Sequence, residues 1–201
     1  TGSAFAFGVR GAPEVHASAL VTEHDLVVER TARMADSEWV RNALLQTERI
    51  EKVVAALEKR NMPTDLAGIP LAESGFQNLG VGPKPIYTAG MWQFIPATAK
   101  NYGLVVDDNV DERQDIDKAT DAALNLLQDL HDEFGDWKLA VVAYNTGAKP
   151  LHKAIKAEGT RDVMVLVERG AVPKYVLNVM ASAVLLRDAG MLKSLPAHAP
   201  N

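Results

Sequence analysis

The sequence predicts an all-α fold because apolar side chains recur at three- and four-residue steps along most of its length. Short links that carry glycine or proline separate these periodic segments, as in proteins built from closely packed helices. Only Ile86 to Thr88 is a candidate for strand, so we expect at most a very short β-hairpin there. With 201 residues, of which 47% are apolar, the chain is long enough to bury one sizeable core.

The N-terminal part is expected to contain a flexible arm, residues 1–20, and then a helical segment, residues 21–62, that packs on the rest of the chain. The first three residues of the arm resemble a cloning remnant. Within the helical segment one amphipathic helix is predicted from Glu23 to Lys59, and Pro63 prevents its continuation. Its apolar stripe consists of Trp39, Val40, Ala43, Leu44, Ile50, Val53, Val54 and Leu57.

Residues 63–192 are expected to form the main helical domain, and residues 193–201 a flexible tail. The first helix of this domain is predicted from Thr64 to Ser74, with a kink or an early end at Pro70. A loop rich in glycine and proline follows at residues 75–90. The later helices are predicted from Pro96 to Gly103, from Ile116 to Phe134, from Trp137 to Tyr144, from Leu151 to Ala157 and from Pro173 to Ala189.

The composition excludes several classes of protein. The net charge is −5, and no run of Lys or Arg is long enough to follow a phosphate backbone, so nucleic acid is not an expected partner. The absence of cysteine excludes a disulfide framework, a thiol nucleophile and a Cys-ligated zinc site. The five histidines lack a metal-binding spacing, so neither a metal nor a cofactor is expected. No apolar stretch approaches the ~20 residues that a membrane-spanning helix needs.

The densest charge in the sequence is acidic and lies at residues 107–117. We interpret this segment as a solvated loop that leads into a helix, because its spacing lacks the glycine and the terminal glutamate of a calcium-binding loop. If Asp107, Asp108 or Asp111 lay near a catalytic cleft, their carboxylates would favour activation of a water molecule.

Glu73 is the first candidate for chemistry. It follows four mostly apolar residues at the end of a predicted helix and precedes the glycine-rich loop. Partial burial there raises the pKa of a carboxyl group, and a carboxylic acid that stays protonated near neutral pH can donate a proton to a glycosidic oxygen. Taken alone, the local sequence more readily indicates a glutamate that only bonds to the backbone at a helix end.

Four segments, taken together and in order, resemble the catalytic domain of lytic transglycosylases, in the soluble type that is related to goose-type lysozyme. These segments are Glu73-Ser74, Gly90-Met91-Trp92-Gln93, Asp115-Ile116 and Ala143-Tyr144-Asn145-Thr146-Gly147. The resemblance covers residues 60–185, and the motifs are most similar to the membrane-bound lytic transglycosylase D branch. It implies a lysozyme-like domain that acts on peptidoglycan as a monomer, exported to the periplasm, the cell envelope or the medium.

The same resemblance implies that Glu73 cleaves the β-1,4 bond between N-acetylmuramic acid and N-acetylglucosamine as both acid and base. The expected products carry a 1,6-anhydro ring, whereas attack by water would make the chain a lysozyme-type hydrolase. Tyr144 is expected to bond to Glu73 and orient it, while Gln93 and Asn145 contact the sugar. Ile95 is expected to line a sugar subsite.

Four further residues have expected roles near the substrate. Ser74 is expected either to fix the adjoining loop or to touch the glycan, and Met91 to face either the core or the groove. Tyr87 and Thr88 are expected to contact the substrate from residues 79–89, where many relatives carry a loop rich in Ser, Gly and Ala. This difference leaves open whether the preferred glycan is acetylated or de-N-acetylated. An inactive glycan-binding module and a purely structural helical module are the remaining alternatives.

Overall fold

The computed structural model of the chain describes Leu20 and residues 24–192, and these residues form an all-α, lysozyme-like domain. Apart from Leu20, the predictions for the N-terminal arm and for the tail lie outside the described residues. In chain order the helices are α1 (Asp25–Ala35), α2 (Glu38–Leu44), α3 (Thr47–Lys59), α4 (Gly68–Ser74), α5 (Pro96–Asn101), α6 (Ile116–Phe134), α7 (Trp137–Thr146), α8 (Ala148–Glu158), α9 (Val163–Glu168) and α10 (Tyr175–Asp188). Two 3-10 turns, Thr64–Ala67 and Glu112–Gln114, precede α4 and α6.

The prediction of one long N-terminal helix is wrong, because the chain breaks twice to form α1, α2 and α3. At the first break the Ser37 hydroxyl accepts a hydrogen bond from the backbone N–H of Val40 and caps α2. The apolar spacing continues through this break, since all three helices place their stripes against the same core. Periodicity alone therefore did not reveal the cap.

Pro70 does not end α4 early, contrary to one expectation. It is the third residue of the helix, where a missing N–H removes no intrahelical hydrogen bond. The helix ends instead at Gly75, which adopts a left-handed conformation with φ of 61°. On the opposite side, a Cβ on Gly68 would lie 2.4 Å from the carbonyl oxygen of Val179, so α4 packs directly on the backbone of α10.

The other predicted helices are present, and the structure adds the short helix α9. Helix α6 begins and ends as predicted, because Asp115 caps its N-terminus and Gly135 ends it in a left-handed conformation. Over the described residues no strand forms: Ile86 ends a turn, and Tyr87 and Thr88 belong to no regular element. Antiparallel pairing there is limited to a single bridge between Ala89 and Phe94.

One apolar core joins the N-terminal helices to the rest of the domain. Helix α1 packs along α10, and α3 packs on the 3-10 turn that leads into α4. The largest fully buried side chains include Trp92, Phe76 and Phe134. None of the described helices combines the length and the apolar character needed to cross a membrane.

Candidate active site

Glu73 lies on the last turn of α4, and its side chain is partly buried between that helix and α10. Its Oε1 accepts a hydrogen bond of 2.7 Å from the hydroxyl of Tyr175, the first residue of α10. Burial raises the pKa of the Glu73 carboxyl group, and the hydrogen bond from Tyr175 opposes part of that rise. The carboxyl group therefore has the property of a general acid, since it keeps its proton to higher pH than an exposed glutamate.

The prediction that Tyr144 bonds to Glu73 is wrong. The Tyr144 hydroxyl donates a hydrogen bond of 2.7 Å to the carbonyl oxygen of Trp92. Tyr175 occupies the predicted role, and sequence reasoning missed it because it lies 102 residues from Glu73 and outside the four motifs. Both tyrosines are nevertheless close enough to Glu73 for its negative charge to raise their pKa values, after the larger effect of burial.

Ser74 is fully buried, so of its two expected roles the structure supports fixing the loop and not contact with the glycan. Its hydroxyl donates to the carbonyl oxygen of Met91 at 2.8 Å, with the carbonyl oxygen of Pro70 at 3.1 Å. Met91 itself is fully buried and belongs to the core, not to the groove. The neighbouring Trp92 is buried as well, and its indole N–H donates to Thr120 at 3.0 Å.

Gln93 is tied into its own turn. Its Oε1 accepts a hydrogen bond of 2.8 Å from Thr88, and its Nε2 donates one of 2.7 Å to the carbonyl oxygen of Gly90. The amide keeps one N–H and one lone pair for a further partner. Thr88 and Gln93 thus shape the loop that we name the active-site loop, residues 87–94. The sugar contact expected of these two side chains stays a prediction.

The active-site loop requires glycine at position 90. A Cβ on Gly90 would lie 1.8 Å from the carbonyl oxygen of Arg113, and its φ is 77°. Only glycine combines this left-handed conformation with such a close backbone approach. The acidic segment therefore packs directly behind the active-site loop.

The acidic segment is held by its own hydrogen bonds and ion pairs. Asp107 accepts from the backbone N–H groups of Asn109 and Val110, and these bonds lower its pKa. Asp111 pairs with the buried guanidinium of Arg113, which holds the pKa of this carboxyl group below its usual value. Neither carboxylate contacts Glu73. Over the described residues no group of His, Asp and Glu is arranged to hold a metal ion.

Three of the predicted substrate contacts have exposed side-chain surface. Tyr87 is the first residue of the active-site loop and Ile95 follows its last residue, and they are 38% and 39% exposed. Asn145 is exposed near the end of α7, one residue after Tyr144. These residues are the exposed part of the predicted site, and Thr88 and Gln93 are half-buried. The fully buried Ser74 and Met91 hold the loop in place.

The helical fold and a partly buried glutamate at a helix end define a lysozyme-like domain, and comparison with known proteins gives its family. The family model "Transglycosylase SLT domain" matches residues 53–166, and the chain belongs to this family. It is 34% identical over 176 residues to the membrane-bound lytic murein transglycosylase D of Escherichia coli (strain K12), a match that covers 84% of this chain and 38% of that protein. The corresponding protein of Escherichia coli O6:H1 matches equally.

A second relative is the putative tributyltin chloride resistance protein of Alteromonas sp. (strain M-1). It is 37% identical over 118 residues, which cover 58% of this chain and 56% of that protein. The chain thus spans 38% to 56% of the length of the relatives that it matches. The family membership confirms the resemblance that the four sequence motifs indicated.

Proposed function

We propose that this chain cleaves the β-1,4 bond between N-acetylmuramic acid and N-acetylglucosamine in peptidoglycan, with Glu73 as its acid and base. The observation that carries the proposal is the raised pKa of the Glu73 carboxyl group at a site where Tyr175 fixes its orientation. Membership of the transglycosylase family and the name of the murein-acting relative support the same substrate.

The first step uses the protonated form of Glu73. Its carboxyl group donates a proton to the glycosidic oxygen, and the bond between that oxygen and the anomeric carbon breaks. The developing positive charge at the anomeric carbon is stabilised by the acetamido oxygen of the substrate itself, so a second enzyme carboxylate is not required. The hydrogen bond from Tyr175 becomes stronger as Glu73 acquires its negative charge.

The second step uses Glu73 as a base. The ionised carboxylate removes the proton from the C6 hydroxyl group of the muramic acid sugar, and O6 forms a bond to the anomeric carbon. The product is a 1,6-anhydro sugar, and Glu73 regains its proton. We propose this product in preference to hydrolysis because the chain belongs to a transglycosylase family. Two of the three acids considered for activation of water, Asp107 and Asp111, are also held by other donors. We further propose that the chain acts as a monomer in the cell envelope.

Mass spectrometry of soluble products tests this proposal. Sacculi with normal acetylation and chemically de-N-acetylated sacculi are digested in parallel with the chain and with Glu73→Gln. Products lighter by one water, formed from acetylated sacculi and absent with Glu73→Gln, are expected. Reducing-end products would indicate a lysozyme-type hydrolase, and release from the deacetylated material alone would show that the substrate does not supply its acetamido oxygen. Retention on sacculi without any release would indicate a glycan-binding module.

A further inference from the structure

Arg113 joins the two ends of the active-site loop. Its side chain is only 3% exposed, and its Nη1 donates to the carbonyl oxygen of Tyr87 and, at 2.9 Å, to that of Phe94. These two carbonyl groups are the first and the last of the loop. Phe94 is also paired with Ala89, so one guanidinium closes the loop at its base.

Asp111 holds this guanidinium in place. Its two carboxylate oxygens accept from Nε at 2.8 Å and from Nη2 at 2.6 Å of Arg113. Such a bidentate pair fixes the plane of the guanidinium and directs its remaining Nη1 at the loop. Asp111 therefore belongs to the same cluster, which we name the Arg113 clamp. The clamp consists of Arg113, Asp111 and the carbonyl groups of Tyr87 and Phe94.

The clamp acts where the backbone is strained. Tyr87 has a φ of 53°, a left-handed conformation that costs a non-glycine residue about 1–2 kcal/mol. The carbonyl group of this residue is the one that Arg113 holds, and its side chain is 38% exposed. Backbone strain of this kind persists where the surrounding structure imposes it, and it concentrates at ligand-binding sites.

The middle of the loop is fixed independently of the clamp. Ser74 bonds to the carbonyl group of Met91, and Tyr144 bonds to that of Trp92. Glu73 bonds to Tyr175 of α10, which has no part in the clamp. Loss of the clamp is therefore expected to release the ends of the loop, including Tyr87, while the acid stays in place.

We propose that Arg113 is a positioning residue that sets the glycan-binding conformation of Tyr87 and of the loop ends, and that it acts on substrate binding more than on the chemical step. This proposal rests on the proposed function, since it takes the glycan strand of peptidoglycan as the ligand. Asp111 supports Arg113, and neither residue touches the reacting atoms.

The test compares Arg113→Lys and Asp111→Asn with the unaltered chain in steady-state cleavage of soluble, uncross-linked glycan strands. A lysine ammonium cannot make the bidentate pair and reach both carbonyl groups. We expect KM to rise about tenfold for Arg113→Lys and less for Asp111→Asn, with kcat within about twofold, as for the loss of one or two hydrogen bonds in binding. Asp111→Asn is the milder change and serves if Arg113→Lys fails to fold.

The variant Tyr87→Gly provides a second test. Tyr87→Gly adopts the left-handed conformation without help, although it also removes the exposed ring. If Arg113 acts through this conformation, Arg113→Lys will raise KM less in the Tyr87→Gly background than in the unaltered chain. Equal effects in both backgrounds would overturn the proposal.

The matched control is Arg187→Lys, which disturbs a second largely buried ion pair, between Arg187 and Asp65. It is expected to lower Tm without changing KM. If Arg113→Lys likewise lowers Tm and leaves KM unchanged, the clamp is only structural and the proposal fails.

A binding measurement distinguishes failure of this proposal from failure of the proposed function. The dissociation constant for soluble glycan strands is measured in the Glu73→Gln background, with and without Arg113→Lys. Weaker binding with the second change supports the clamp even if the unaltered chain proves inactive, which would overturn the catalytic assignment alone. Equal binding overturns the clamp, whatever the activity.

Discussion

The end of α4 and the acidic segment at residues 107–117 shift the pKa of a carboxyl group in opposite directions. At the end of α4, Glu73 is partly buried with one tyrosine hydroxyl as its donor, and its pKa is raised. In the acidic segment Asp107 accepts two backbone N–H groups and Asp111 accepts a guanidinium, and the pKa of each is lowered. In the segment richest in acids, these hydrogen bonds therefore favour the ionised form of Asp107 and Asp111.

The difference follows from what surrounds each group. Burial without a cation disfavours the charged form, whereas backbone N–H groups and arginine favour it. A proton donor at neutral pH must be of the first kind. The shortage of donors around Glu73 therefore gives its carboxyl group the property that the proposed acid needs. The number of acids in a segment carries little information about which one could act as a proton donor.

The largest expected effect comes from replacing Glu73, the proposed proton donor at the end of α4. Glu73→Gln should lower the release of soluble peptidoglycan fragments by about a thousandfold, because an amide cannot donate a proton to the leaving oxygen. Asp107→Asn is the matched control, since Asp107 is an exposed acid that bonds only within its own turn. We expect that control to keep full activity. Comparable losses in both variants would contradict the distinction between the two regions.

The second prediction concerns Gly90, where the active-site loop touches the acidic segment. Gly90→Ala should lower the free energy of unfolding by at least about 3 kcal/mol, because strain at a left-handed residue adds to a clash with the Arg113 carbonyl oxygen. Gly103→Ala provides the control, with a φ of 85° and open space around the new methyl group. It should cost only about 1–2 kcal/mol. Urea unfolding measures both, and equal costs would show that the close approach at Gly90 is not tight.

The third prediction concerns Tyr175, whose hydrogen bond partly offsets the effect of burial on the pKa of Glu73. In Tyr175→Phe the hydrogen bond that lowers the pKa of Glu73 is lost, so that pKa rises further. The alkaline limb of the profile of kcat/KM against pH should move to higher pH, and activity at the optimum should fall about tenfold as orientation is lost. Tyr102→Phe removes a hydroxyl group that bonds to Asp129, and it should leave the profile unchanged. A shift to lower pH in Tyr175→Phe would contradict the role of this hydrogen bond.

Local features of the fold were predictable and long-range partners were not. Helix α6 was predicted with both ends because its cap, Asp115, and its terminating Gly135 are adjacent to the helix in sequence. The motif resemblance identified Glu73 as the candidate acid, but it did not identify the side chains that bond to it. Tyr175 bonds to Glu73, 102 residues away in sequence, and Arg113 bonds to the carbonyl group of Tyr87, 26 residues away. No periodicity or spacing encodes such pairs.

The same limit applies to the motif residues themselves. Ser74 and Met91 were candidates for contact with the glycan, and Tyr144 for orienting Glu73, because they belong to motifs near a candidate acid. Their contacts show that they join the motifs to one another: Ser74 bonds to Met91, and Tyr144 to Trp92. Membership of a motif therefore indicated proximity to the site, while burial was needed to distinguish a scaffold residue from a surface that a glycan can reach.

The last and smallest expected effect is a pair of opposite pH dependences in stability. The folded-state pKa of Glu73 lies above the usual 4.5. The contribution of this residue to the free energy of unfolding is therefore fully present below pH 4.5, and it is lost as pH rises through the raised pKa. Glu73→Gln should therefore gain stability relative to the unaltered chain as pH rises above about 4.5. The folded-state pKa of Asp111 lies below the usual 3.8, so its contribution is present above that value and is lost as pH falls through the lowered pKa.

Asp111→Asn should accordingly lower stability at neutral pH, and this loss should shrink as pH falls below about 3.8. Thermal unfolding of the two variants and of the unaltered chain between pH 3 and pH 8 measures both trends. Slopes of the same sign would mean that the two carboxyl groups share one environment. Opposite slopes would show that the fold keeps one carboxyl group ready to donate a proton and commits the other to holding Arg113.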